Sequence, residues 1–408
     1  MSDRWPLISL SDVTHRITKG TTPTSVGGRF TNEGINYFKV ESVAPDGALV
    51  RDKLAFIDDE THEILRRSQL AADDVLFSIA GAIGRTYLVR EDDLPANTNQ
   101  ALAIVRFEIS KVVPRYAFYA MRQRAFQGDA LGRVVQTAQA NVNLTQLSNA
   151  KLALPSLTEQ QSIVDVVVAY DDLIENNRRR IQLLEQSARL LYKEWFVHLR
   201  FPGHEHIKIK DGVPEGWEKK KIADICETVG GGTPSTKVAE YWDGDITWVV
   251  PSDITKNDCL ALLDSGRKIT EKGLQESSAK MVPAETILMT SRASVGFFAL
   301  TDYPVCTNQG FINIVPHEDE MRMYVLFNLM VRVEEIRSNA KGTTYPEISK
   351  GRFRDMDIMI PSITLMREFS EVTSDIIRQV RLLKKSTRKL EQARDLLLPR
   401  LMNGELIA

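Results

Sequence analysis

The sequence predicts an α+β (mixed α/β) protein made of two tandem copies of one module, each copy running into a long helix. Three observations carry that prediction. The chain repeats itself at a nearly constant offset, each half mixes short strand-like runs with helical patches, and each half changes to unbroken helical spacing after a Pro-Ser step.

The repeat comes first because it decides everything after it. Trp5 to Val13 aligns with Trp217 to Ile225 at an offset of 212, keeping the tryptophan and an aspartate, Asp12 or Asp224. Thr22-Pro23-Thr24 matches Thr233-Pro234-Ser235, and Ile35-Asn36-Tyr37 matches Ile246-Thr247-Trp248, both at 211. Val75 through Gly84 matches Ile287 through Gly296 at 212, and Thr98-Asn99-Gln100 matches Thr307-Asn308-Gln309 at 209. Leu154-Pro155-Ser156 and Leu184-Glu185-Gln186 match Ile360-Pro361-Ser362 and Leu390-Glu391-Gln392 at 206. One such match arises readily by chance; a collinear set spread over both halves points to duplication.

Within each half, β-branched and aromatic runs bounded by Gly, Pro, Asn and Asp read as strands: Val75 to Ile79, Leu102 to Phe107, Ile246 to Val250 and Phe311 to Val315. Tyr116 to Phe126 and Met323 to Arg337 read as helices between them. After Pro155 the residues Ile163, Val167, Tyr170, Ile174, Asn177, Ile181, Leu184, Ala188, Leu191 and Trp195 follow a 4-3 alternation, the seam of a coiled coil. The weaker second seam is Phe369, Thr373, Ile376, Val380, Leu383, Thr387, Leu390, Arg394, Leu397 and Leu401, with Pro399 placed to end or kink its helix. The apolar members (Ile163, Val167, Tyr170, Ile174, Ile181, Leu184 and Leu191; Phe369, Ile376, Val380, Leu383, Leu390 and Leu397) are the expected interface of an antiparallel helix pair. A helix from about Thr158 to Leu199 would span roughly 60 Å at about 1.5 Å per residue, enough to act as a spacer. A helical subdomain folded onto its own module is the alternative. The expected division is a first module at 1–157, a spacer helix at 158–200, a Gly- and Pro-rich linker at 201–216, a second module at 217–363, and a second helix with its tail at 364–408.

Composition narrows the class. With 43% hydrophobic and 26% charged residues the chain reads as globular. Cys226, Cys259 and Cys306 show no Cys-x-x-Cys spacing, so neither a disulfide framework nor a thiolate zinc site is suggested. The first ten residues lack the apolar core of a signal peptide and no segment reads as a membrane span, which leads to the expectation of a cytoplasmic protein. The net charge of -2 does not advertise nucleic-acid binding, yet Thr98 to Leu157 holds seven Lys or Arg against two acids, a local +5.

Catalytic patterns are missing from the sequence. There is no Gly-Lys dipeptide for a phosphate-binding loop and no Pro-Pro step for an Asn-Pro-Pro-aromatic methyltransferase loop. Asp253 with Glu218-x-Lys220 resembles a loose nuclease pattern, but such triplets arise by chance in a charged chain. His204-Glu205-His206 sits in the linker without further spaced ligands, so no metal site is expected.

Two similar modules on long spacers suit a ligand with helical periodicity, since half-sites on duplex DNA lie at spacings set by its turn. Arg, Asn, Gln, Ser and Thr match base edges. The candidate DNA contacts in the first module are Lys39, Ser42, Arg85, Asn99, Gln100, Arg133, Gln136 and Gln139. In the second they are Ser252, Asp253, Ser291, Arg292, Asn308, Gln309, Lys341, Thr344 and Tyr345. The recurring Thr-Asn-Gln step also admits a framework role, its side chains satisfying local backbone. A coiled-coil adaptor whose heads bind protein is the competing class.

The Gly20 to Pro23 and Gly231 to Pro234 turns, the Thr-Asn-Gln steps, the Pro-Ser helix starts and the ending Leu397-Leu398-Pro399-Arg400-Leu401-Met402-Asn403-Gly404-Glu405-Leu406 together resemble a type I restriction-modification specificity subunit, in order and over essentially the whole chain. The resemblance implies two target-recognition domains separated by two long antiparallel helices. Each domain would read one part of a bipartite double-stranded DNA site, and neither would be catalytic. It further implies docking of two adenine methyltransferase subunits and, through the complex, ATP-dependent restriction subunits. S-adenosylmethionine, ATP and Mg belong on those partners and no cofactor on this chain. The halves depart at Phe77-Ser-Ile-Ala-Gly-Ala-Ile-Gly84 against Met289-Thr-Ser-Arg-Ala-Ser-Val-Gly296, where Arg292 has no basic counterpart.

Overall fold

The computed structural model describes residues 5–132, 141–342 and 346–406, which divide into two compact units. The first holds the chain to Asp172 together with the segment from Leu390, and the second holds Leu173–Lys389.

In the first unit an antiparallel sheet has the order Thr14–Lys19, Leu102–Phe107, Val75–Ser78, Thr86–Leu88, with Val105 opposite both Ile17 and Val75. A second sheet has the order Phe30–Thr31, Ala55–Ile57, Ile35–Phe38, Ala96–Thr98, and its last pair is parallel, with Tyr37 opposite Asn97. The alternation of side chains along a strand explains why the central runs are apolar at almost every position. Val75, Phe77, Val105 and Phe107 pack under Tyr116, Phe126 and Leu147 of three short helices (Pro114–Met121, Arg124–Leu131, Leu144–Asn149), while Leu76, Ile104 and Tyr87 face Phe38 and Val43 beside the second sheet.

The second unit repeats this layering. Its antiparallel sheet runs Cys226–Gly230, Phe311–Pro316, Ile287–Thr290, Phe298–Ala299, and its mixed sheet runs Lys268–Ile269, Trp242–Val249, Val305–Thr307, Met281–Val282. The parallel pair recurs, with Trp248 opposite Cys306. Met289 and Ile312 pack on Tyr324 and Phe327 of the helix Arg322–Val331, while Leu288 and Phe311 face Val249 and Val282. Each sequence repeat is therefore one three-layer module, and the strand and helix runs expected above fall on strands and helices.

Both long helices begin at Pro-Ser. Ser156 Oγ accepts from the Glu159 amide at 3.3 Å while Glu159 returns a carboxylate oxygen to the Ser156 amide at 3.0 Å, and Ser362 Oγ accepts from the Leu365 amide at 3.3 Å. The first helix covers Leu157–Tyr192 and widens into a π-helical turn at Lys193–Val197; the second covers Ile363–Met402 and continues through Pro399 for three more residues. A proline so near the end removes only one late hydrogen bond, so the helix finishes within a turn of it.

In the second unit Ile181 packs with Val380, while Tyr192 and Phe196 pack on Phe369, so the two helices run antiparallel there. In the first unit Ile163 and Val167 share a core with Leu398 and Leu401, and Arg394 pairs with Asp171 at 2.8 Å. Ile163, Val167, Ile174, Ile181, Phe369 and Val380 are buried; Tyr170, Leu184, Leu191, Ile376, Leu383, Leu390 and Leu397 are half-buried. Beyond Ile181 the buried positions are Glu185, Ala188, Tyr192 and Phe196. An α-helix turns once in about 3.6 residues, so a strict 3.5 seam drifts off the contact face. Phe201, at the start of the 201–216 segment, is buried against Trp217 at 5.7 Å between ring centroids, and the segment closes in a small hairpin of Ile209–Lys210 with Val213–Pro214. No helix among the described residues is long and apolar enough to cross a membrane.

Candidate nucleic-acid interface

In both modules those sequence-selected residues that are described gather where the parallel strand pair ends. Chain directions explain this: both strands of a parallel pair release their loops at the same edge.

In the first module Ile35–Phe38 and Ala96–Thr98 release the turns that carry Lys39 to Ser42 and Asn99 to Gln100. The Asn99 amide donates to Phe38 O at 3.2 Å, holding the two turns together. Ser42 Oγ accepts from the Lys39 amide at 3.2 Å and donates to Lys53 O at 2.9 Å. Arg85 reaches the same turn, giving Nη1 to Val43 O at 2.8 Å and to Val40 O at 3.3 Å. Lys39 Nζ lies 4.9 Å from the Phe30 ring centre, which itself meets Tyr37 edge-on. Lys39, Arg85 and Asn99 are half-buried, Gln100 is exposed and Ser42 is buried.

The second module builds the same corner from different residues. The Asn308 amide donates to Val249 O at 3.0 Å, and Asp253 Oδ2 accepts from the Val250 amide at 2.9 Å and from Ser265 Oγ at 2.8 Å. Asp253 thus does for its turn what Ser42 does for the other. Ser291 is buried, its amide donating to Gly310 O at 2.8 Å, and the next residue, Arg292, is exposed and pairs with Glu347 at 3.8 Å. Lys341 exchanges backbone hydrogen bonds with the same Glu347 at 2.9 Å, so one residue ties the Lys341 backbone to the segment that meets the Arg292 guanidinium. Ser252 is exposed at the start of the turn. Arg133, Gln136, Gln139, Thr344 and Tyr345 lie outside the described residues.

Beneath these loops lies a hydrogen-bond framework present twice. Thr22 Oγ1 donates to Gln100 Oε1 and Thr233 Oγ1 to Gln309 Oε1. Asn99 Oδ1 accepts from the Ala101 amide at 3.1 Å and Asn308 Oδ1 from the Gly310 amide at 2.9 Å. Tyr37 OH donates to Thr21 O at 2.9 Å, and Trp248 Nε1 donates to Gly232 O at the same distance. Burial raises the Tyr37 phenol above its ordinary value, so it stays protonated as a donor. Ser78 and Thr290 close matching loops: each hydroxyl donates to a carbonyl four residues on (Ala82, Ser294) and accepts the amide seven residues on (Arg85 at 2.8 Å, Phe297 at 3.0 Å). Gly84 and Gly296 complete those loops at φ +87° and +84°, a region that favours glycine.

Sequence reasoning missed two features of this corner. The Arg85 guanidinium binds backbone carbonyls, and its counterpart by alignment is the exposed Phe297; neither residue type signals that use in advance. Lys350 Nζ approaches Gly230, 3.0 Å from where a Cβ would stand, on the second antiparallel sheet.

The same geometry bears on reaction chemistry. Asp253 is engaged by its own turn, whereas Glu218 lies on a strand paired with Asp357–Ile360 and bonds Lys220 at 3.0 Å. Burial pushes the Cys226 and Cys259 thiols up to about 12 and Cys306 to about 11, far from reactive thiolates. His204 gives Nδ1 to Phe201 O at 2.8 Å and lies 3.3 Å from Glu205; no group of three or more potential metal ligands gathers among the described residues.

Residues 3–186 and 214–392 match the family model for the type I restriction modification DNA specificity domain. Among curated relatives, the MjaIX type I restriction enzyme specificity subunit of Methanocaldococcus jannaschii is 38% identical over 164 residues, which is 40% of this chain and 38% of that protein. The chain thus spans about two fifths of that relative's length in the matched region. The HindI specificity subunit of Haemophilus influenzae is 23% identical over 65% of this chain and 71% of its own length. The putative MjaX specificity subunit of M. jannaschii is 22% identical over 98% and 93%. A crystal structure of a type I restriction-modification system S subunit from M. genitalium shares the fold with a TM-score of 0.62 at 15% identity, over 98% of this chain and 96% of that one.

Proposed function

Because this chain belongs to the type I restriction-modification DNA specificity family, whose specificity subunits are recognition components and not catalytic ones, we propose that it reads an asymmetric bipartite DNA target with a non-specific spacer. In this reading 1–157 and 217–363 are the target-recognition domains, 158–200 and 364–408 the spacer helices, and 201–216 the linker. Adenine methyltransferase subunits dock on the chain, and restriction subunits join through them.

The observation that carries the reading is the corner built twice. Its supports are held in common, while the side chains on them differ position by position: Lys39 stands where the second module has Val250, and the exposed Arg292 has no basic counterpart in the first. A common mount bearing unlike donors is what two readers of unlike half-sites require, since guanine and adenine edges are matched by different side chains.

The test is a gel-shift assay of the chain assembled with its methyltransferase subunits. Tight binding to one split site, weakened steeply by salt, is the expected result. Binding indifferent to sequence under the same conditions would overturn the reading and leave the adaptor in its place.

A further inference from the structure

The matched Thr–Gln pair has no role yet beyond its own geometry. Gln100 and Gln309 are exposed, each two residues past the threonine that ends the second strand of the parallel pair, Thr98 or Thr307. In both, a threonine of the neighbouring turn, Thr22 or Thr233, donates its hydroxyl to Oε1. The Nε2 group, with two N–H donors, is thereby turned away from the threonine, and neither Nε2 has a partner among the described residues.

Much of the surrounding structure fixes this one side chain. A Cβ on Gly20 would stand 1.9 Å from Thr98 O, and one on Gly231 would stand 2.1 Å from Asn308 O, so the threonine-bearing turn lies directly against the glutamine-bearing one. The Thr21 amide donates to Thr98 O at 3.1 Å and the Gly232 amide to Thr307 O at 2.9 Å. Tyr37 and Trp248 tie the same turn down from below. An exposed glutamine normally loses rotamer freedom when it binds something; here that ordering is already done.

We propose that Gln100 and Gln309 each donate through Nε2 to a phosphodiester oxygen of the DNA backbone, one contact in each half-site. This rests on the DNA-binding reading above. The ligand group must be an acceptor, because only N–H is offered. It must also occur in both half-sites, because the pair and its supports are the same in both modules while the neighbouring loops are not. Base edges change between unlike half-sites; phosphate does not. Bidentate reading of adenine, the other common use of glutamine, needs Oε1 and Nε2 of one amide to face the base together, whereas here Oε1 is held toward the threonine hydroxyl.

The experiment measures affinity of the assembled methyltransferase complex for its methylated motif and for a scrambled duplex across a salt series, with the motif read by sequencing modified adenines. Gln100→Ala and Gln309→Ala each weaken both duplexes by the same factor, about threefold to tenfold, as loss of one hydrogen bond implies. The motif and the salt slope stay unchanged, since a neutral donor displaces no counterion. Gln100→Lys restores binding and steepens the slope by about one unit. Relaxed preference at one base in the matching half-site would overturn the phosphate contact in favour of base reading, and unchanged affinity for both duplexes would overturn it in favour of a framework role. A wild-type complex that binds DNA without sequence preference would overturn the function proposed above and leave this contact measurable by the same ratio; a complex that binds no DNA would overturn both.

Discussion

Gly20 and Gly231 show how a single residue is fixed by close approach, since the atoms a side chain would meet are carbonyl oxygens that cannot turn aside. Gly20→Ala or Gly231→Ala should lower stability by about 2–4 kcal/mol, read as a fall in the denaturant midpoint; an unchanged midpoint would refute the packing described. Glu185 makes a different prediction. It is buried, with Oε1 accepting the Leu260 amide, and burial raises its carboxyl above the ordinary value despite that bond and the nearby Arg189. A raised folded-state pKa means ionisation costs more in the folded chain, so wild-type stability is undiminished below the ordinary glutamate range and declines as pH rises through the folded value. Glu185→Gln should therefore unfold later than wild type at pH 8, with the difference vanishing near pH 4. A constant difference across that range would count against burial as the cause. The repeat motifs at this scale were legible in the sequence because they are local polar chemistry: Thr-Asn-Gln and Gly-Thr-Pro mark fixed turns wherever they stand. The use of Arg85 was not, because its partners, the carbonyls of Val40 and Val43, lie more than forty residues away and carry no side-chain signature.

The long helices mark the limit of pattern reading among elements. Their existence and Pro-Ser starts follow from spacing and capping, and Leu184 and Trp195 of the heptad seam do pack toward the second helix, but they are half-buried, and the buried residues beside Leu184, Leu191 and Trp195 are Glu185, Tyr192 and Phe196. The reason is geometric drift, compounded by the π-helical turn at Lys193–Val197 and by the aromatic cluster that the second helix offers. Phe369 meets Tyr192, Trp195, Phe196 and Phe327 with ring centroids 5.1–5.9 Å apart. Phe369→Ala should cost about 3–5 kcal/mol, whereas Leu382→Ala, on a side chain 62% exposed, should change the unfolding midpoint little. Equal losses at the two positions would show that the seam is placed wrongly. The parallel strand pairs were equally hidden, because a run such as Ile35–Phe38 carries no sign of which distant strand it will join.

For the whole molecule, duplication separates what is shared from what is chosen. The modules repeat layers, the order of the antiparallel sheet, the parallel strand pair and the Thr–Gln mount, so the proposed function assigns positioning to the repeated parts and specificity to the loops that fail to repeat. Replacing residues 217–363 with the matching module of a relative should then change one half-site of the methylated motif and leave the other intact. The proposal also makes the helices the ruler of the spacer. Four residues inserted at matched points in both helices would add about 6 Å at about 1.5 Å per residue, nearly two base pairs at about 3.4 Å each. The preferred spacer, read from the modified sites, should lengthen by one or two base pairs with both half-site sequences unchanged. Module exchange that altered both half-sites would break the assignment of one reader to each. An insertion that left the spacer as it was, while the complex still modified its site, would remove the helices from the measurement and place the spacing within the modules.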